Sequence, residues 1–233
     1  MVASVFNWFV LGPLPGLLVS LLLWIGKALH DRRSNRRRWI LSDPSRVRIC
    51  ISASPSIATG AYSRPTTGVG QAKALAQISP SLTKAWRDID IQSVYFADEI
   101  AGSDLETDLI LIGGPKTNAL TARVLEIVGE DLGVYQDGST IIVEDKHLEG
   151  EVDDNATGYD YGLVMRIRNP FSSVHRLIVL SGSHTFGTVA AARFMASAPF
   201  MSEHSGDLAV VIGASVEKGH ALEGVVEWSS NAA

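Results

Sequence analysis

The amino-terminal part of the chain is dominated by apolar side chains. No charged residue occurs in residues 1–26, and residues 5–25 form an apolar run of 21 positions. At 1.5 Å per residue, a helix of that length can cross a hydrocarbon core of about 30 Å. The pattern therefore predicts a transmembrane helix within residues 1–30. A kink is expected near Pro13, because proline removes a backbone donor from the helix.

After residue 45 the pattern changes to shorter segments. Polar and apolar residues alternate first, as in a half-buried strand, and a stretch rich in Ser, Thr, Gly and Pro follows. Ala and Leu then recur at helical spacing, with Pro80 as an interruption. The segments predict a strand, a long loop, two helices and a second strand, at 46–52, 53–68, 69–78, 80–87 and 91–96.

Two later segments share one order of features: an apolar strand, a polar loop containing glycine, and a helix. The first comprises residues 108–112, 113–118 and 119–128. The second comprises residues 176–180, 181–188 and 189–198. Each is half of a βαβ unit, which is typical of parallel sheets covered by helices. The sequence therefore predicts an α/β fold over 46–233, with a Rossmann-like, mostly parallel sheet and helices on both faces.

Further strands are expected outside these two units. They are predicted at 139–143, 161–168, 207–213 and 221–228. The last of them follows a hairpin turn near residues 217–219, so we expect an antiparallel edge there.

Charge is distributed unevenly along the chain. The net charge is −5, but residues 1–43 carry +4 and residues 44–233 carry −9. The positive part is a cluster just after the apolar run: Arg32, Arg33, Arg36, Arg37 and Arg38. By the positive-inside rule this basic linker, residues 31–45, predicts a single-pass protein of the cell membrane whose domain faces the cytoplasm. We expect the lipid bilayer as a partner and no nucleic acid, because the domain is acidic.

The two glycine loops are the best candidates for ligand binding. A buried parallel strand that turns through glycine into a helix presents backbone N–H groups, which suit a small anionic or nucleotide-like ligand. A third candidate lies at the end of the long loop, ahead of the next helix. The candidate ligand-binding residues are Gly113, Gly114, Lys116, Thr117, Asn118, Ser181, Gly182, Ser183, His184, Thr185, Arg64 and Thr67. For the 113–118 loop the alternative is a purely structural turn and helix cap. For the 181–188 loop it is a solvated His184, and for the long loop it is a disordered, lid-like connection.

Catalytic chemistry is less clearly indicated. His184, Asp98 or Glu99 could serve as a base if the protein were a hydrolase or glycosidase acting on a nucleotide. Acidic residues cluster at 98–108 and at 149–154. No His or Cys accompanies the first cluster, so we expect a solvated face and no metal site there, and we expect the same of the second. Cys50 is the single cysteine, which excludes an intramolecular disulfide. No cofactor is indicated by any motif.

Three pieces of the sequence carry a resemblance. They are residues 108–118, the tripeptide at 169–171, and residues 177–182 with 188–192. Over roughly residues 105–198 the chain resembles the Rossmann-like domain of archaeal surface-layer proteins and of membrane-tethered bacterial proteins of unknown function. The resemblance implies a Rossmann-like sheet and transfers no catalytic residue. The small size and the expected cytoplasmic topology depart from the surface-layer case.

The sequence as a whole favours a membrane protein whose domain binds a small anionic ligand in a sensing or regulatory role. A nucleotide-directed enzyme using the same crevice is one alternative. A structural or partner-binding module without a ligand is the other.

Overall fold

The computed structural model of the chain describes residues 14–59 and 62–230. Five α-helices lie in these residues: α1 Leu14–Trp39, α2 Val69–Ala85, α3 Ala119–Leu132, α4 Thr185–Ser197 and α5 Pro199–Glu203. α2 is one helix, so the break predicted at Pro80 is wrong. Pro80 lies within the helix and is exposed, where water can bond the carbonyl that the proline ring leaves without a donor.

The strands form one large sheet and two small ones. In chain order the strands are β1 Arg48–Ile51, β2 Ser54–Thr59, β3 Tyr62–Thr66, β4 Val94–Phe96, β5 Leu109–Ile112, β6 Val134–Asp137, β7 Thr140–Val143, β8 Lys146–Leu148, β9 Glu151–Val152, β10 Gly158–Arg168, β11 Arg176–Gly182, β12 Leu208–Glu217, β13 His220–Ala221 and β14 Val225–Ser229. The large sheet has the order β13-β12-β10-β11-β5-β1-β4, with β14 beside β12 and β9 beside β10.

The large sheet is mixed, so the prediction of a mostly parallel sheet is wrong. β4, β1, β5 and β11 run parallel, whereas β10 pairs antiparallel with both β11 and β12. The connection between β10 and β11, residues 169–175, is too short for the crossover that parallel neighbours need. The antiparallel half of the sheet follows from that short connection. The α/β class itself is confirmed.

The segment predicted as a loop over 53–68 contains β2 and β3, which pair antiparallel as a separate hairpin. The loop prediction was wrong because it relied on the Ser, Thr, Gly and Pro content of residues 53–68, which is typical of irregular backbone. Both strands of a two-stranded hairpin are edge strands, where Pro55 and Pro65 are tolerated.

Two apolar cores lie on opposite faces of the large sheet, and β5 shows how its sequence serves both. Ile110 and Ile112 pack into the core under α1, α2 and α4. Leu109 and Leu111 pack into the core under α3 and the β6–β7 hairpin. All four side chains are fully buried, which explains the continuous apolar run in a strand covered on both faces.

Helix α1 does not have the form predicted for the amino terminus. It continues to Trp39, so the arginines assigned to a linker over 31–45 lie on the same helix. No helix in the described residues has both the length and the apolar content needed to cross a membrane. The transmembrane prediction is therefore corrected. Residues 5–13, including the kink expected at Pro13, lie outside the described residues.

The carboxyl-terminal half of α1 is fixed to the domain. Trp39 is fully buried, and its Nε1 donates to Ser81 Oγ at 2.9 Å. Arg32 and Arg36 each donate from Nε to the carbonyl of Ala85, at 3.2 and 2.9 Å. These bonds join α1 to the last turns of α2.

A buried arginine secures the end of α1 from the sheet side. Arg166 in β10 is 1% exposed, and its Nη1 donates to the carbonyls of Arg38 and Met201 at 2.8 and 2.6 Å. A cation bonded to the last carbonyls of helices α1 and α5 complements their dipoles. Burial lowers the pKa of Arg166 to about 10, which still leaves the guanidinium charged at neutral pH.

Candidate functional site

The carboxyl ends of three neighbouring parallel strands, β1, β5 and β11, meet at one edge of the large sheet. The chain leaves β5 toward α3 on one face, and leaves β1 and β11 toward α2 and α4 on the other. Such a reversal of connections is where open α/β sheets form ligand crevices. The structure thus brings the 113–118 and 181–188 loops side by side, and Gly113 N donates to Leu180 O at 2.9 Å.

The space between these loops is occupied by side chains of the chain itself. Gln136, from β6, is 9% exposed, and its Nε2 donates to the carbonyl of Gly182 at 2.9 Å. Ser181 Oγ donates to Gln136 Oε1. A Cβ added at Gly114 would lie 3.1 Å from Gln136 Nε2. The absence of a side chain at residue 114 therefore makes room for this glutamine.

A second glutamine fills the neighbouring gap beside β1. Gln71 Oε1 accepts from Ser52 N at 2.8 Å and from Thr67 Oγ1 at 2.6 Å. Thr67 Oγ1 also lies 3.0 Å from the carbonyl of Ser52. Gly113, at φ +114, lets the backbone pass close to Gln71. Sequence reasoning missed both glutamines, because a glutamine carries no motif of its own.

The amino terminus of α3 is capped by the chain. Asn118 Oδ1 accepts from Leu120 N and Thr121 N, both at 3.1 Å. Thr117 Oγ1 donates to Ser52 Oγ at 3.0 Å, which ties the loop to β1. Two of the helix donors that could have met an anion are thus bonded to Asn118.

Lys116 makes no hydrogen bond or ion pair with the described residues of that network. It is exposed and lines a surface depression of about 880 Å³ between α3 and the β6–β7 hairpin. Arg64 lies in β3, where its backbone pairs with Ile57 across the hairpin.

The amino terminus of α4 is capped by a carboxylate from the neighbouring strand. Asp160 in β10 is fully buried and accepts from Gly187 N at 2.6 Å, Tyr161 N at 2.9 Å and His184 N at 3.2 Å. Burial raises the pKa of Asp160, while its backbone donors and nearby His184 act in the opposite direction. The position that an anionic ligand would take at this helix is therefore filled by the protein's own anion.

Close backbone contact explains the glycines in the second loop. A Cβ on Gly187 would overlap the carbonyl of Tyr161, and one on Gly182 would overlap the backbone of Gly187. At the other side, Gly70 of α2 allows contact with the backbone of Thr185. These residues let α4 lie directly against β10, β11 and α2.

His184 has the geometry of an oriented base without a nucleophile. Its Nδ1 lies 3.6 Å from Asp160 Oδ1, and 45% of its side chain is exposed. Within the described residues the ring makes no hydrogen bond to a hydroxyl group. Ser183, the nearest serine in sequence, bonds instead to the carbonyl of Leu148 at 3.3 Å. Asp98 and Glu99 follow β4, which is separated from β11 by two strands, so they do not join this pair.

No three His, Cys, Asp or Glu side chains of the described residues come together as a metal site would require. Cys50 is fully buried, and burial raises the pKa of its thiol to about 12. Its thiol is therefore protonated at neutral pH and unsuited to nucleophilic chemistry.

A second feature lies at the far end of α1. Every residue from Gly16 to Asp31 is exposed. Leu17, Leu18, Leu22, Leu23 and Trp24 are between 58% and 70% exposed. This segment, which we call the apolar arm (residues 17–25), is the most concentrated apolar surface of the described chain.

Comparison with known proteins does not assign the chain to a family. No protein-family model matches the chain, and no curated protein is similar to it.

Proposed function

We propose that this protein is a membrane-associated protein whose α/β domain is held at an anionic lipid surface by helix α1. The observation that carries this proposal is the apolar arm, which is exposed along its whole length. Exposed apolar surface of this extent marks an interaction site.

The distribution of apolar residues around the arm favours lipid over a protein partner. A helix that docks on a protein keeps an apolar stripe and a polar opposite face. Successive residues of a helix point about 100° apart, so five consecutive apolar positions cover its whole circumference. Residues 21–25 are Leu, Leu, Leu, Trp and Ile, which leaves no polar face. An environment that is apolar on all sides suits this segment.

Charge next to the arm suits an anionic surface. Lys27, Arg33, Arg36 and Arg37 are exposed and follow the arm on the same helix. Each basic residue near an anionic membrane contributes about 1 kcal/mol. The cytoplasmic leaflet carries that negative potential, so the domain would lie on the cytoplasmic face. The nine residues of the arm measure roughly 14 Å as a helix, so they would enter one leaflet of the membrane and would not cross it.

The attachment of α1 gives this association a consequence for the domain. Trp39, Arg32 and Arg36 fix the helix to α2, and Arg166 fixes its end to the sheet. Lipid contact at the arm would therefore hold the α/β domain in one orientation. The small anionic ligand expected between the two glycine loops has no part in this proposal, because the helix donors Leu120 N, Thr121 N and Gly187 N are bonded within the chain.

Vesicle co-sedimentation of the full chain tests the proposal. The variant Leu18→Asp/Leu22→Asp should bind phosphatidylglycerol vesicles about 100-fold more weakly than wild type or worse, because a buried leucine contributes about 1.5–3 kcal/mol. Val174→Asp is the matched control, since Val174 is 68% exposed and lies on a loop outside α1. It should bind as wild type does. Wild-type protein that stays in the supernatant, or an arm variant that binds normally, would contradict the proposal.

A further inference from the structure

A groove of about 800 Å³ lies between α1, α2 and the corner where α4 meets α5. Its lining includes five cationic side chains and one carboxylate: Arg33, Arg37, Arg38, Lys84, Arg193 and Asp31. In a chain with a net charge of −5, this is a local excess of positive charge. An anion is the ligand class that such a groove attracts.

Three of these cations have no partner within the described residues. The side chains of Arg33, Arg37 and Lys84 are exposed, and none makes a hydrogen bond or ion pair to a described group. Asp31 makes no ion pair with them there either. Their charges are therefore available to a ligand.

The remaining two cations are held in position by the chain. Arg38 donates to Asn35 Oδ1 at 3.0 Å and to the carbonyls of Ala196 and Ala198 at 3.1 and 3.2 Å. Burial lowers the pKa of Arg38 from its usual value. Arg193 Nη1 donates to the carbonyl of Ala221 at 2.6 Å. A guanidinium has five N–H donors, so both side chains keep donors beyond these bonds.

The floor of the groove is polar and rigid. Asn35 and Ser81 are each 6% exposed, and Ser81 Oγ donates to Asn35 Oδ1 at 2.8 Å. Trp39 bonds to the same serine from below. The floor of the groove is thus built from hydrogen-bonded side chains where α1 packs on α2.

The lining also limits the class of anion. Among the described residues that line it, there is no Phe, Tyr or Trp and no Leu, Ile or Val. The imidazole of His30 is the one ring in this described lining, and its apolar residues are Pro80, Ala196 and Pro199, so a nucleotide base or an acyl chain would find little surface to pack on. A phosphate group bonded by arginine and lysine fits what is present.

The place of the groove relative to the apolar arm identifies the source of that phosphate. Arg33 lies eight residues after Ile25 on the same helix, about 12 Å along its axis. With the arm in the apolar part of a membrane, the groove lies at the level of the headgroups. We propose that this groove binds the phosphomonoester headgroup of an anionic lipid. This inference rests on the proposed membrane association.

The experiment compares two vesicle types of equal surface charge, one containing phosphatidic acid and one containing phosphatidylglycerol. Full-length wild-type protein should prefer phosphatidic acid about tenfold, the factor that one charge-assisted hydrogen bond supplies. The groove variant Arg33→Gln/Lys84→Gln should lose this preference. The control Lys27→Gln/Arg87→Gln removes the same charge outside the groove and should keep the preference, although it binds both vesicles more weakly. All four side chains are exposed, and circular dichroism checks that each variant is folded.

The other outcomes separate the two proposals. Wild type that binds neither vesicle overturns the proposed membrane association. Wild type that binds both equally, or a groove variant that keeps the preference, overturns the headgroup site and leaves the membrane association standing. Titration calorimetry measures whether the protein also binds glycerol 3-phosphate, a soluble phosphomonoester, in the absence of vesicles. Micromolar binding of that compound without a vesicle preference would assign the groove to a soluble phosphate ester and so overturn the lipid source.

Discussion

The contact between Trp39 and α2 decides whether α1 is part of the domain or an appendage. Trp39 is fully buried in the core that α1 shares with α2 and the sheet, and its indole N–H bonds to Ser81. Replacing Trp39 with Ala removes that packing and leaves a cavity. Such a change costs about 3–5 kcal/mol in well-packed cores. For a chain of this size each kcal/mol lost from the free energy of unfolding lowers the thermal midpoint, Tm, by about 2–4 °C. The Tm of Trp39→Ala should therefore lie roughly 6–20 °C below that of wild type.

The same helix supplies the control for this experiment. Trp24 is 68% exposed, so Trp24→Ala should change the free energy of unfolding by no more than about 0.5 kcal/mol. Urea unfolding of both variants, followed by circular dichroism, measures the two costs. If Trp39→Ala costs less than about 1 kcal/mol, α1 does not pack on the domain in solution, and the fixed orientation inferred for the domain is refuted.

Three further predictions concern the domain itself. Because burial raises the pKa of Cys50 to about 12, a thiol reagent at pH 8 should label the native protein no faster than it unfolds; rapid labelling would show that this part of the core is open. Asn118→Ala should lower the free energy of unfolding by about 1 kcal/mol through loss of the α3 cap, and Asn118→Asp should also lower it, because the buried carboxylate would face the carbonyl of Ile112, to which Asn118 Nδ2 now donates. Asp160→Ala should lower the free energy of unfolding by about 3 kcal/mol, because the Gly187 N–H loses its acceptor and the amino terminus of α4 loses the carboxylate that caps it. A loss below about 0.5 kcal/mol would show that water replaces the carboxylate.

Much of the fold could be predicted from local patterns in the sequence. β5 and β11 each show a short apolar run that enters a glycine loop and a helix, and the structure places these two strands side by side. This information lies within about 20 consecutive residues. The antiparallel course of β10 was missed because it depends on a seven-residue connection, residues 169–175, whose direction apolar periodicity does not report.

The contents of the crevice could not be predicted in the same way. Gln136 bonds to Gly182 across 46 positions, and Asp160 bonds to Gly187 across 27. Such pairs depend on strand register and helix placement, which no local motif encodes. The sequence located both glycine loops but not the side chains that occupy the space between them.

At the amino terminus the sequence pattern led to a wrong prediction, the transmembrane helix. Residues 5–25 suggest a span by hydropathy alone, but helix α1 continues through the arginines to Trp39 and packs on the domain. Hydropathy averages composition and does not register that Trp39, Asn35 and Arg38 have partners on α2, α4 and their connections. The apolar residues remain exposed, which is why they carry the proposed lipid contact.

The fluorescence of Trp24 tests the lipid contact most directly, because this side chain lies in the apolar arm and is 68% exposed in the protein alone. The spectrum that Trp24 contributes is obtained by subtracting the emission of Trp24→Phe from that of wild type. Added phosphatidylglycerol vesicles should shift this emission to shorter wavelength, and lipids brominated on their acyl chains should quench it. Emission that is unchanged by the vesicles and unquenched by brominated lipid would contradict membrane association through α1.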